Sequence, residues 1–349
     1  MGRIIDYIEE NCDSIYSDIH IRESEYISVR NLGEIEFTKT KIDKEDIEEF
    51  IRHINLESKR NNEIKEHDFS FSIKGYRFRG NLFSFMGKKG ISIRKIPKKI
   101  CSFKELNIPI DIKQIGSLSS GIVFITGPTG SGKTTTLASI IQYINENMKK
   151  HIITLEDPIE YVFKNEKSII TQREVGSDTT SFSAAIKSSL RQDPDIIVIG
   201  EVRDAETMIN AIQAAETGHL CFCTLHTVGA VASVERVLGM FSGEDKERIR
   251  YDMSVVLRAV LSQQLIKIEE QMIPVIEYMV SDKSASNMIK EGKTGQLQNH
   301  IHTGTDRGMI SMDTFLLKLY FAGSISKDVV YEKCINHEYI RKYIGKKYI

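Results

Sequence analysis

The sequence predicts an α/β protein in two parts: a mixed α/β domain first, then a larger domain built on a mainly parallel sheet. Three observations carry this. The chain has 349 residues, and a single core rarely grows past about 250–300 residues. Residues 69–85 alternate apolar and polar side chains, the period of half-buried strands. Beyond residue 112, short apolar runs alternate with helical stretches, the pattern of a parallel sheet covered by helices.

In the first part, Ile47, Phe50, Ile51 and Ile54 recur at helical spacing within residues 44–54. Phe69, Phe71 and Ile73 alternate with polar residues. Lys74-Gly75 supplies a turn, and Tyr76 and Phe78 resume the alternation. A second hairpin is expected to turn at Lys89-Gly90, ahead of Ile91 and Ile93. Residues 96–112 contain Pro97 and Pro109 and little periodicity. We place a linker at 101–112, between domains at 1–100 and 113–349. The second part predicts strands at 121–126, 151–155, 195–200 and 220–225, apolar enough to be buried on both faces. Helices are expected at 133–147, 181–191, 204–217 and 231–240, with Asp204 as a cap and Gly218 as a stop. The tail from 305 reads as helical, with Met312, Phe315, Leu316, Leu317, Tyr320 and Phe321 as its apolar stripe.

Net charge is −1 and the pI about 6.8, without the basic excess of a dedicated nucleic-acid binder. No apolar run approaches the length of a membrane span, and MGRIIDYIEE lacks a signal-peptide core. A cytoplasmic protein is expected, touching the membrane only through partners. Five cysteines without C-x-x-C argue against a disulfide framework or a four-cysteine zinc site. Cys221 and Cys223 read as core thiols on one strand face. Residues 71–100 carry nine Lys or Arg and no acid. By itself this block fits a solvated strand face or an anion-facing surface equally.

The stretch Gly127-Pro128-Thr129-Gly130-Ser131-Gly132-Lys133-Thr134 completes G-x-x-x-x-G-K-[ST] between an apolar strand and a helix, followed by Thr135. Glycines let successive N–H groups turn inward onto phosphate oxygens, and the helix N-terminus adds its positive end. Lys133 reaches the β- and γ-phosphates, and the Thr134 hydroxyl ligates Mg²⁺. Together they predict a site for ATP with Mg²⁺.

Glu201 ends the strand DIIVIG, at the edge where open α/β sheets place ligands. Gly200 stands where an aspartate is usual, so Glu201 must direct the attacking water, with a metal contact. Glu156 and Glu160 in Glu156-Asp157-Pro158-Ile159-Glu160 are candidates to position water and Mg²⁺, although spacing alone leaves a solvated acidic turn equally open. His219 and His226 bracket the strand LCFCTL and suggest phosphate sensing or an interface role. Arg191 and Arg203 flank the Glu201 strand and could stabilise phosphate charge.

Four stretches resemble the type IV pilus and type II secretion ATPases: GPTGSGKTTTLASII (127–141), ITLEDPIEYVF (153–163), LRQDPDIIVIGEVRDAET (190–207) and ETGHLCFCTLHT (216–227). SDIHI (17–21) and GYRFRGNLF (75–83) resemble two N-terminal signatures of that family. The absence of a C-terminal four-cysteine motif, and the runs VLRAVLSQQLI (256–266) and 287–313, are similar to its retraction branch. The resemblance implies a PAS-like N-terminal α+β domain, a RecA-like P-loop domain and a homo-hexameric ring. It also implies an inner-membrane pilus platform protein as partner, at the inner face of the cytoplasmic membrane. Arg94 and Arg77 or Arg79 would then contact phosphate in trans, which favours the anion-facing reading of the basic block. Two departures stand out. Ser286 replaces the arginine of a motif tied to retraction, and Arg30-Asn31-Leu32-Gly33 differs from the usual R-x-D-G. Pilus-assembly, competence or secretion ATPases are the alternative within the family. A non-hydrolysing scaffold or a DNA translocase are alternatives outside it.

Overall fold

The computed structural model describes residues 2–14, 16–31, 34–54, 66–96, 99–269 and 271–344. The chain divides into two compact units, residues 1–99 with 160–162, and residues 100–159 with 163–349.

The first unit opens with α1 (Arg3–Glu10), β1 (Asp18–Arg22), β2 (Tyr26–Asn31) and β3 (Glu34–Lys41). It continues with α2 (Lys44–His53), β4 (Glu66–Ile73), β5 (Tyr76–Phe85) and β6 (Lys88–Lys95). The strands form one antiparallel sheet in the order β3-β2-β1-β6-β5-β4. Helix α2 starts where the sequence places it because Asp43 and Asp46 form a reciprocal capping box. Its Ile47, Phe50 and Ile51 join Ile4, Ile5 and Ile8 of α1 over Ile19, Ile21, Phe78, Leu82, Ile91 and Ile93.

Lys74-Gly75 turns the first hairpin as expected, with positive φ at both residues. The second turn is at Met86-Gly87, not Lys89-Gly90. Gly90 lies inside β6 opposite Phe83, whose ring would stand 2.6 Å from any Cβ placed there. The glycine marks a close cross-strand approach, which the eye reads as a turn. Pro97 and Leu32-Gly33 lie outside the described residues.

The second unit begins with α3 (Ile112–Gly116), β7 (Gly121–Thr126), α4 (Lys133–Asn147), β8 (His151–Glu156) and β9 (Ile169–Glu174). Next come α5 (Phe182–Ser189), β10 (Ile196–Ile199), α6 (Ala205–Glu216), β11 (Leu220–Leu225), α7 (Ala230–Leu238) and α8 (Gly243–Val256). It ends with β12 (Leu257–Ile268), β13 (Gln271–Val280), α9 (Lys283–Lys290), α10 (Leu297–Thr303), α11 (Met312–Phe321), α12 (Lys327–Lys333) and α13 (His337–Ile344).

The sheet order is β13-β12-β7-β11-β10-β8-β9, parallel throughout except for the antiparallel β12–β13 pair. The α/β expectation holds, and the four predicted strands and four predicted helices are present with ends shifted by at most three residues. Alternate strand residues feed two cores. Phe124, Ile153, Ile197, Cys221 and Cys223 pack under α5, α6, α7 and α8. Val123, Ile125, Val198 and Phe222 pack with Ile140, Ile141 and Ile144 of α4. Cys221 and Cys223 are core thiols as expected, and burial pushes Cys221 up to about 12.

Phe103 and Ile108, within the segment read as a linker, pack into this second core. In the tail, Met312, Leu316 and Leu317 are buried, but Phe321 is half exposed and leaves the expected stripe. Among the described residues no helix is long and apolar enough to cross a membrane.

Candidate functional site

Four neighbouring strands, β7, β11, β10 and β8, run parallel, so their C-terminal ends share one edge of the sheet. The phosphate loop leaves β7 there, His226 follows β11, Glu201 follows β10 and Glu156 ends β8. This is the edge at which open parallel sheets hold ligands.

The loop is tied down from within. Gly127 donates to the Leu225 carbonyl at 3.2 Å and Ser131 N–H to the Pro128 carbonyl at 3.2 Å. Gly127 has φ +147° and a Cβ there would stand 2.1 Å from the Gln263 carbonyl oxygen, so only glycine fits. Gly132 caps α4 in the left-handed region and lets Lys133 begin the helix. The Lys133 ammonium is nearly buried and donates to the Gly127 and Pro128 carbonyls at 2.7 and 2.9 Å. Thr134 and Thr135 follow in the first turn of α4. Pro128, Thr129 and Gly130 form the exposed crown of the loop.

Beside the loop lies a pocket of about 410 Å³, lined by Gly132, Thr135, Thr136, Leu106, Leu265 and Met272 among others. Its apolar walls next to a phosphate cradle suit a flat heteroaromatic ring. Sequence reading missed Leu106, Leu265 and Met272, because they come from a loop after the first unit and from β12 and β13.

Glu201 is 14% exposed, and both of its oxygens have partners. Oε1 meets Arg203 at 2.7 Å and Oε2 meets His226 Nε2 at 3.5 Å. Gly200 is locked beneath it, donating to the Leu155 carbonyl at 2.7 Å and accepting from the Thr224 hydroxyl. The structure thus brings Glu201, Arg203 and His226 together.

It does not bring in every predicted residue. His219 precedes β11, about 20 Å from His226 along the strand. Its Nδ1 donates to the Ala214 carbonyl at 2.9 Å and so closes the C-terminus of α6. The two histidines bracket the strand in sequence, and for that reason sit at opposite edges of the sheet. Arg191 likewise follows α5 on the edge where β10 begins and donates to the Lys187 carbonyl at 3.3 Å.

Glu156 Oε1 accepts from Thr154 and Gln172 at 2.6 and 3.1 Å, which ties it to its own sheet. Glu160 belongs to the three-residue segment grouped with the first unit. In that unit Arg94 and Arg79 are directly opposite across β6 and β5, and Asp18 is opposite Arg94 across β1. Arg94 Nε donates to Asp18 at 2.7 Å and Arg77 donates to Ser70 at 2.8 Å.

Among the described residues no group of three or more His, Cys, Asp or Glu could hold a metal by itself. The oxygen donors at this edge are the Thr134 hydroxyl at the head of α4 and the carboxylates of Glu201 and Glu156. Such a sparse hard-oxygen set fits Mg²⁺, which keeps waters and substrate phosphates as most of its ligands.

Residues 6–312 match the family described as type II/IV secretion system protein. The type IV pilus retraction ATPase PilT of Pseudomonas aeruginosa is 43% identical over 273 residues, 78% of this chain and 79% of that protein. A twitching motility protein of Neisseria gonorrhoeae is 42% identical over 276 residues, 78% of this chain and 74% of that one. The crystal structure of the pilus retraction motor PilT with bound ADP matches with a TM-score of 0.89 at 36% identity, covering 98% of this chain and 100% of that chain. Similarity that runs through both the antiparallel unit and the phosphate-loop unit places the chain in the type II/IV secretion system protein family.

Proposed function

We propose that this chain is an ATP-hydrolysing motor that powers type IV pilus retraction, working as a hexamer on an inner-membrane platform protein. The observation that carries the reading is a complete phosphate loop at the head of α4, with a partly buried carboxylate at the same sheet edge, after a parallel strand one removed from β7. The similarity to retraction motors supplies the physiological direction.

The loop N–H groups and the α4 N-terminus receive the phosphates, and Lys133 exchanges its carbonyl partners for phosphate oxygens. Thr134, Glu201 and Glu156 would hold Mg²⁺, which would supply positive charge to offset that of the phosphates. A γ-phosphate competes with Glu201 for Arg203, which frees a carboxylate oxygen to orient water. His226, on the other oxygen, registers that change. Glu156 and Glu160 complete the water-positioning set, and Arg94, Arg77 and Arg79 serve a neighbouring subunit. The site works at the inner face of the cytoplasmic membrane, through partners and without nucleic acid.

Purified protein should hydrolyse MgATP. Lys133→Ala should abolish turnover, and Glu201→Gln should retain ATP while losing about 10²-fold or more in rate. An unimpaired Glu201→Gln enzyme would sink the assignment. Deletion in the host should leave static, over-extended pili.

Ser286 in place of the retraction-linked arginine favours a second reading, a pilus-assembly or secretion motor. Cells without pili after deletion would select it.

A further inference from the structure

Strand β12 lies between β7, which carries the phosphate loop, and β13. Most of its length is buried, yet it holds the consecutive polar residues Ser262, Gln263 and Gln264. Successive side chains of a strand point to opposite faces. On one face, Gln263 is nearly inaccessible and bridges the phosphate loop. Its Nε2 donates to the Ser131 carbonyl at 2.7 Å and its Oε1 accepts from the Thr136 hydroxyl at 2.7 Å. It therefore joins the turn of the loop to the first turn of α4.

On the other face, Ser262 stands directly opposite Glu277 of β13, and neither is exposed. Their oxygens accept two consecutive backbone N–H groups. Gly229 donates to Ser262 at 2.7 Å and Ala230 to Glu277 at 2.9 Å. Gly229 ends the short loop that starts at His226, and Ala230 opens α7. Ser233 ties the same loop to β7, bonding the Gly229 carbonyl, Thr227 and Thr126 at 2.7, 2.7 and 3.2 Å.

We infer that β12 is a two-sided brace: Gln263 sets the shape of the phosphate loop, and Ser262 with Glu277 sets the loop that carries His226 to Glu201. All three are positioning residues, and the inference rests on the nucleotide-site reading above. The two faces serve different steps. Gln263 shapes the binding cradle, so its loss acts on affinity. Ser262 and Glu277 hold the partner of the water-directing carboxylate, so their loss acts on turnover.

The test measures MgADP affinity, ATP turnover at saturation and Tm on the full-length protein and its variants. Gln263→Ala should weaken MgADP binding by about ten-fold or more, since two polar groups of the loop lose their partner. Thr136→Val should weaken it similarly, and the double variant no further than the worse single one. Ser262→Ala should change MgADP affinity by less than about three-fold while lowering turnover by about ten-fold or more. Glu277→Ala should behave like Ser262→Ala, and Glu277→Gln, which keeps an acceptor oxygen, should recover part of the loss. Val260→Ala, a core truncation in the same strand, should lower Tm without this split.

Affinity and turnover falling together in proportion to Tm in every variant would overturn the brace. So would parent-like MgADP binding by Gln263→Ala. A parent protein that binds no MgADP, like Lys133→Ala, would instead take down the nucleotide site and the brace with it.

Discussion

Gly127 shows what one residue can decide. The backbone carbonyl of Gln263 occupies the space where a Cβ would go, 2.1 Å away. A carbonyl in a sheet cannot swing aside as a side-chain tip can. Gly127→Ala should therefore cost about 1–3 kcal/mol of stability by overpacking and weaken nucleotide binding by displacing the loop. Denaturant unfolding and an MgADP titration check both parts. Glu277 carries a second residue-scale prediction. Burial raises its carboxyl above the ordinary glutamate value of 4.5. An acid raised in the folded state contributes stability that is complete below that ordinary value and is lost as pH climbs through the elevated one. Glu277→Gln removes that dependence. The Tm of the Gln variant relative to the parent should rise as pH climbs above that ordinary value. A difference that stays flat or falls would mean that the carboxyl is not held up by burial.

At the scale of elements, Asp204 accepts from Thr207 N–H at 2.8 Å and from its hydroxyl at 2.9 Å. It caps α6 immediately after Glu201 and Arg203. Asp204→Ala should cost about 1 kcal/mol, or about 2–4 °C in Tm for a unit of this size. It should also loosen Arg203, so ATPase activity should fall further than Tm alone explains. This cap was legible because an N-cap is a local contract between residues three apart. Strand β12 was not legible. Its Ser262, Gln263 and Gln264 break the apolar run that marks a buried strand, and their partners lie up to 132 residues away. The Lys89-Gly90 turn failed for a related reason, since the ring that demands Gly90 belongs to the neighbouring strand.

Across the whole molecule, the basic block at 71–100 has no acid of its own. The fold supplies acids from elsewhere, with Asp18 against Arg94 and Glu9 against Lys74. The Arg94–Asp18 pair is largely exposed on the arginine side, so Arg94→Ala should cost only about 0–1 kcal/mol of stability. If Arg94 serves a neighbouring subunit, the same change should depress ATPase activity of the assembled ring and spare nucleotide binding by the monomer. Unchanged ring turnover would remove Arg94 from the site. Ser286 belongs to this scale too. It sits on α9 and donates to the Ser254 carbonyl of α8, inside the segment that the family resemblance ties to retraction. Ser286→Arg should leave ATP turnover near the parent's and alter pilus retraction in cells. A large change in turnover would contradict that division.

By itself the sequence determined the phosphate loop, the order of the parallel strands' motifs and the carboxylate that follows β10. Each is written in residues adjacent along the chain, where backbone geometry needs only local partners. Only the tertiary structure decided which candidates meet. It put His226 beside Glu201 and sent His219 and Arg191 to the opposite edge, because a strand separates its two ends by its full length. It also brought Ser262, Gln263 and Glu277 under both walls of the site, through sheet pairings that a linear reading does not contain.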